Sequence, residues 1–261
     1  LPVTDDHGRL IQAIFWNDVI SQRKPQKLMG WSAPVIIMAG GKGSRLDPFT
    51  KILPKPLIPI GEKPIVEVIM DKFNEYGIAE FYLSLNHRAK MIKSYFEEMN
   101  DKYTLHYIEE TRPLGTAGSL KLLGDRIKGP FFVTNCDIIV ESDYGEMLKF
   151  HKENGYDMTL VVSCKRYIIP YGVCEITNGG ELKAIKEKPE QDLLVNTGMY
   201  IMGAEILELI PDNQFLNMND LIEKVKESGY KIGVFPISDR SWIDVGQWEE
   251  YHKALEKMRG S

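Results

Sequence analysis

The chain is poor in cysteine, with three in 261 residues, Cys136, Cys164 and Cys174. Their odd number and the lack of a C-x-x-C pair argue against a disulfide framework. Each is expected to be a small hydrophobe buried in a strand, in a reducing, cytoplasmic setting. No apolar run approaches the roughly 18 residues that span a bilayer, and the N-terminus lacks the basic-then-apolar order of a secretory signal, so no membrane partner is expected. Positive charge is in the minority, 32 Lys and Arg against 37 Asp and Glu, for a net charge of −5. Without a basic face or stripe, a nucleic-acid partner is not expected either. The sequence also has no Gly-Lys-Ser/Thr, which removes a P-loop ATPase or GTPase switch. A dinucleotide fingerprint fails at Leu46, where Gly41-Lys42-Gly43-Ser44-Arg45 would need a glycine next. There is no internal repeat and no low-complexity segment, and His87 and His106 lack metal-ligand spacing.

What is present is a local reversal of charge. Met38 to Pro56 follows the apolar run Val35, Ile36 and Ile37, and sets Gly40, Gly41 and Gly43 among Lys42, Arg45, Lys51 and Lys55 against a single Asp47. The glycines let backbone N–H groups approach a polyanion with no Cβ in the way, and the cations neutralise it. In an acidic chain such a stretch points to a built site for a small anionic ligand.

Hydrophobic spacing predicts an α/β protein. Val35 to Ala39 reads as a strand leading into the glycine loop, Phe81 to Leu85 as a second, and Phe131 to Thr134 as a short buried strand running into Asp137. Ile65, Ile69 and Phe73 share a helix face, and Met91, Ile92, Tyr95 and Phe96 mark another. Asp157 to Ile201 reads as several strands with a hairpin turn at Asn178-Gly179-Gly180, after which Asp220 to Glu227 and Gln247 to Lys257 return to helix. The architecture implied is a doubly wound, Rossmann-like mixed sheet with a β-rich insertion.

The string AGGKGSRLDPFTKILPKPLIPIGEKPIVE resembles the signature of the sugar-phosphate nucleotidyltransferases, the family of mannose-1-phosphate guanylyltransferase and glucose-1-phosphate thymidylyltransferase. Further blocks follow in that family's order: Pro113 to Gly118, Asn135-Cys136-Asp137, Tyr171-Gly172-Val173, Glu187-Lys188-Pro189, Asn196-Thr197-Gly198 and Trp242 to Gly246. The resemblance runs from about Pro34 to Lys257 and implies a nucleotide-diphospho-sugar transferase domain over residues 34–258, whose insertion holds the sugar. It leaves no room inside this chain for a hexapeptide-repeat acyltransferase. Residues 1–33, read as strand, turn, strand, short helix and linker, resemble the end of a CBS domain, as if cut from a longer protein.

The resemblance also implies substrates and roles. The partners would be a nucleoside triphosphate and a sugar 1-phosphate, with a homo-oligomer left open. Asp137 and Asp244 would hold Mg2+, Arg45 would clamp the β and γ phosphates, and Lys55 would sit at the α-phosphate. Ala39, Gly40, Gly41, Lys42, Gly43 and Gly115 would cradle the nucleotide. Gly172, Glu187, Lys188 and Asn196 would hold the sugar phosphate and its hydroxyls. Lys55-Pro56 and Asn86-His87-Arg88 look more like the guanylyl group than the thymidylyl group. Asn86, which both donates and accepts, is therefore expected to read guanine, so GTP is expected, with dTTP or UTP as the alternatives. A second reading is a catalytically silent, nucleotide-sugar-binding regulatory protein.

Overall fold

The computed structural model describes residues 2–4, 10–13, 33–41, 43–98 and 102–259, of which 2–4, 10–13 and 257–259 as backbone alone. Seven strands form the central sheet: β1 (Val35–Met38), β2 (Glu80–Leu85), β3 (Thr104–Glu109), β4 (Phe131–Asn135), β5 (Met158–Ile168), β6 (Glu190–Met202) and β7 (Ile232–Ser238). Their spatial order is β7, β5, β6, β4, β1, β2, β3. Only β6 runs antiparallel to its neighbours; the other adjacent pairs are parallel.

Because successive side chains on a strand point to opposite faces, a strand covered on both sides must be apolar throughout. In β1, Val35 and Ile37 enter one core and Ile36 the other. The first core takes helices α1 (Ile65–Glu75), α2 (Ala89–Glu97), α3 (Tyr144–Glu153) and α5 (Trp248–Arg259). Ile65, Ile69 and Phe73 face it as their spacing predicts, and Phe73 stacks on Tyr144 with ring centroids 4.2 Å apart. The opposite core receives Leu120, Leu123 and Ile206 from short helical turns, and Leu221 and Val225 from helix α4 (Met218–Glu227). The sheet is thus mixed and doubly wound, as the sequence predicts. On α2 the contact falls to Ile92 and Phe96, with Tyr95 partly buried against the same core, while Met91 is exposed.

β5 and β6 outrun the sheet. Their inner halves are buried between the two cores, whereas Tyr167, Ile168, Leu193 and Leu194 stand exposed. Between them lies a small hairpin, Val173–Ile176 against Leu182–Lys186, turned by a segment in which Thr177 N donates to Glu181 O and Gly180 has φ +84°. This is the β-rich insertion. The expected burial of every cysteine is corrected here: Cys136 is buried, but Cys164 in β5 is half-buried and Cys174 in the hairpin is exposed.

At the N-terminus Pro2–Thr4 pairs antiparallel with Leu10–Ala13, in keeping with the two strands read there. The rest of the expected CBS-type remnant lies outside the described residues. Among the described residues, no helix is long and apolar enough to cross a membrane.

Candidate active site

The chain leaves β1 toward β2 and β3 on one side and returns to β4 on the other, so the crevice beyond the carboxyl ends of β1 and β4 is a topological switch point, where open α/β sheets bind ligands. A cavity of about 480 Å³ opens there. Its lining includes Gly40, Gly41, Gly43, Arg45, Lys55, Gly115 and Asp137, which the sequence nominated, Thr116 and Asn135, which lie in its quoted blocks without an assigned role, and Glu110, Phe215 and Asn217, which it did not single out. Lys42 lies outside the described residues.

Local packing explains how the cations get there. Gly43, at φ +70°, opens the turn Ser44–Leu46, whose Leu46 is fully buried and anchors the segment while Arg45 stays exposed beside the cavity. A Cβ on Gly43 would come within 2.9 Å of the Lys55 Cβ, so the loop and the turn Lys55–Leu57 lie against each other. Lys55 Nζ donates to Asp137 Oδ2 in an ion pair whose side chains are each only 15% exposed. Burial by itself would pull the Lys55 ammonium down, but Asp137, Cys136 and Asp244 outweigh it and hold its pKa above the usual lysine value.

Asp244 joins them through a small two-stranded sheet. Trp242–Asp244 pairs antiparallel with Ile138–Val140, which puts Asp244 opposite Ile138, the residue after Asp137. Val245 N then donates to Asp137 O at 2.9 Å, and Gly246 N to Asp244 Oδ1 at 2.9 Å. The point where a Gly246 Cβ would sit is 2.9 Å from Asp244 Oδ1 and 3.2 Å from Lys55 Nζ, and overlaps Asp137 Oδ2. Both carboxylates and the ammonium therefore meet at one glycine. Magnesium is held by one or two carboxylates plus substrate phosphates, so these two acids suit it. Among the described residues no group of three or more His, Cys, Asp or Glu forms a closed metal cage.

The remaining nominated residues fall elsewhere. Ala39 is buried and its N–H is spent on Ser84 O at 2.9 Å. Asn86 does not line the cavity; its amide nitrogen donates to the Glu110 backbone oxygen at 3.1 Å. On the insertion side, Glu187 Oε2 lies 3.1 Å from the position of an absent Gly172 Cβ, and Lys188 N donates to Tyr171 O at 3.3 Å. Asn196 is set by a bulge in β6, where Val161 of β5 pairs with Met199 but Val162 pairs with Asn196. Its amide donates to Tyr200 Oη at 2.8 Å and its oxygen accepts from Gly198 N at 3.0 Å. None of Gly172, Glu187, Lys188 and Asn196 lines the 480 Å³ cavity.

A glycine loop at a switch point, two basic side chains and two converging carboxylates thus share one crevice of the fold. Residues 34–261 match the family described as nucleotidyl transferase, and the chain belongs to that family. It is 31% identical over 231 residues, 84% of its length, to the "Probable mannose-1-phosphate guanylyltransferase 2" of Oryza sativa subsp. japonica, of which 63% is covered. It is 30% identical over 242 residues, again 84% of its length, to the "UTP--glucose-1-phosphate uridylyltransferase" of a Synechocystis strain, of which 62% is covered. The chain thus spans a little under two thirds of the length of these curated relatives. Among solved structures it resembles HddC from Yersinia pseudotuberculosis complexed with GMP-PN, at 27% identity and a TM-score of 0.66 over 87% of this chain and 99% of that one.

Proposed function

We propose that the chain transfers a guanylyl group from GTP to a hexose 1-phosphate, giving a GDP-hexose and pyrophosphate. The observation that carries this reading is the meeting of Arg45, Lys55 and Asp137 at one cavity beyond the parallel strands, with Asp244 drawn in at Gly246. A sugar-phosphate oxygen attacks the α-phosphorus, and the bond to the β-phosphate breaks as pyrophosphate leaves with its electron pair. The attacking phosphate is largely dianionic at neutral pH, its second pKa being about 6, so no protein base or covalent nucleophile is needed. Cys136, the thiol beside Asp137, is no rival nucleophile, because burial and then Asp137 push its pKa up to about 12. Catalysis reduces to aligning two polyanions and neutralising charge on the leaving group.

The side chains divide that work. Arg45 is suited to a forked grip on the β and γ phosphates. Lys55, exchanging Asp137 for phosphate, serves the α-phosphate that both substrates approach. Asp137 and Asp244 would hold Mg2+, which when bound adds positive charge at the phosphates. Lys188 would take the sugar phosphate, and Glu187, Asn196 and the Gly172 backbone the hydroxyls. Gly40, Gly41, Gly43 and Gly115, with the Ala39 carbonyl, would frame the nucleotide. The chemistry is assigned to residues 34–258, in a reducing cytoplasm that suits three unpaired cysteines.

GTP is favoured because a relative of this chain carries the name guanylyltransferase and a structural neighbour holds GMP-PN. A nucleotide-sugar-binding regulatory protein would use the two cations as well, but would have less use for two acids converging beside them. The test is pyrophosphate release with Mg2+, each of GTP, UTP, dTTP and ATP, and a panel of hexose 1-phosphates. Release with GTP and one hexose 1-phosphate is expected; nucleotide-sugar binding without release from any pair would favour the regulatory reading.

A further inference from the structure

Glu110 is an odd residue to find in a cavity for a polyanion. It lies just past β3, with its backbone N–H donating to Leu85 O at 2.8 Å, and its side chain lines the same cavity as Arg45 and Lys55. Among the described residues no lysine, arginine or histidine is paired with its carboxylate. Two neutral donors hold it instead: Ser84 Oγ at 3.0 Å on Oε1 and Leu114 N at 3.0 Å on Oε2. Each oxygen keeps a further lone pair. Gly40 lets the acid lean over the glycine loop, since a Cβ there would stand 2.7 Å from Oε1. Asp137 follows β4 and Glu110 follows β3, with β1 and β2 between, so the acid and the Lys55–Asp137 pair approach the glycine loop from opposite sides. Phe215, 63% exposed on the same lining, offers an apolar face.

We infer that Glu110 reads the guanine base, its two carboxylate oxygens accepting from N1–H and the N2 amino group. Guanine is the base whose pairing edge presents two adjacent donors, and a fixed carboxylate matches that pair with charge-assisted bonds. Uracil and thymine offer one N–H between two carbonyl oxygens, which a carboxylate repels, so the same group that selects guanine rejects them. Asn86, expected from the sequence to read the base, acts one step back as a positioning residue through its bond to the Glu110 carbonyl. The inference rests on the guanylyl reading and names the residue behind its base preference.

The test compares GTP with ITP, which lacks only the N2 amino group, and with UTP, in the wild type, Glu110→Gln and Glu110→Asp. One measurement is kcat/KM with a fixed hexose 1-phosphate, and another is GDP and IDP affinity by calorimetry. The wild type should favour GTP over ITP, and GDP over IDP, about tenfold, equivalent to about 1.4 kcal/mol. Glu110→Gln should bring both ratios within about twofold and leave UTP no worse, while Glu110→Asp, still an anion, should keep part of the discrimination. A structural role alone would weaken all nucleotides alike. A wild type that discriminates while Glu110→Gln discriminates equally sinks the inference and leaves the guanylyl reading standing. A wild type that binds GDP no better than IDP sinks the inference. A preference for UTP or dTTP sinks both. Absence of turnover with intact GDP discrimination that Glu110→Gln abolishes supports the inference and removes only the catalytic reading.

Discussion

Lys55 and Asp137 stand 82 positions apart in the chain and share a hydrogen bond in the fold. On the proposed reading their pairing holds the charge that the substrate phosphates would meet, and Asp244 sits within reach of the same point. Replacing either acid by its amide keeps shape and removes charge. Asp137→Asn or Asp244→Asn is therefore expected to lower kcat by at least about a hundredfold, with an unchanged far-ultraviolet circular dichroism spectrum. Near-normal turnover of both variants at saturating Mg2+ would refute their role. Much of the candidate site was legible in the sequence because Arg45 and Lys55 lie in the one basic, glycine-rich stretch after β1, and Asp137 lies just past the apolar strand β4. Glu110 obeys the same rule, as an acid just past the apolar alternation of β3, and that signal was there to be used. The bond from Asn86 to the Glu110 carbonyl was not legible, because it depends on β2 and β3 being neighbours in parallel register.

Elements follow the same division between local pattern and long-range pairing. The α1 stripe could be read because Ile65, Ile69 and Phe73 repeat at helical spacing, whereas the bulge of β6 could not, because it shows only as a slip against β5. Gly198 makes that slip, at φ +85° with Asn135 Nδ2 2.6 Å from where its Cβ would be. Gly198→Ala combines backbone strain with a clash in the cavity wall. It should cost about 2 kcal/mol or more in chemical denaturation and lower turnover as well; an unchanged denaturation midpoint would show that the bulge tolerates a side chain. Helix α3 carries a different liability. His151 is buried, with Nδ1 2.9 Å from Thr159 Oγ1 in β5, and burial holds its pKa down to about 4, with Asp157 opposing and Lys152 adding to the effect. Below about pH 6.5 the unfolded chain takes up a proton that the folded chain refuses until about pH 4. Stability from this group is thus complete above pH 6.5 and falls toward pH 4, by about 3 kcal/mol at most. Denaturation midpoints at pH 7, 5.5 and 4.5 should fall steeply for the wild type and less for His151→Gln, and parallel slopes would contradict the assignment.

At the scale of the whole molecule, the fold class was open to the sequence because parallel strands buried on both faces leave apolar runs between amphipathic helices. The strand order was not, since nothing in a run of valines and isoleucines names its neighbour. The insertion is where the molecule departs most from a plain doubly wound sheet. β5 and β6 are clamped between the two cores at one end and carry the hairpin, flanked by Gly172 and Glu187, at the other. On the proposed reading, sugar choice and base choice are then mechanically separate decisions, one made on an outrigger and one at the hull. Grafting residues 169–189 from a relative with another sugar should shift the hexose 1-phosphate preference while the GTP to ITP ratio stays within about twofold of wild type, a change under about 0.4 kcal/mol. Unmoved sugar preference, or a collapse of the base ratio, would contradict that separation. On that reading, a lineage built this way can try new sugars at the end of a long hairpin without risking the core on which its nucleotide chemistry would stand.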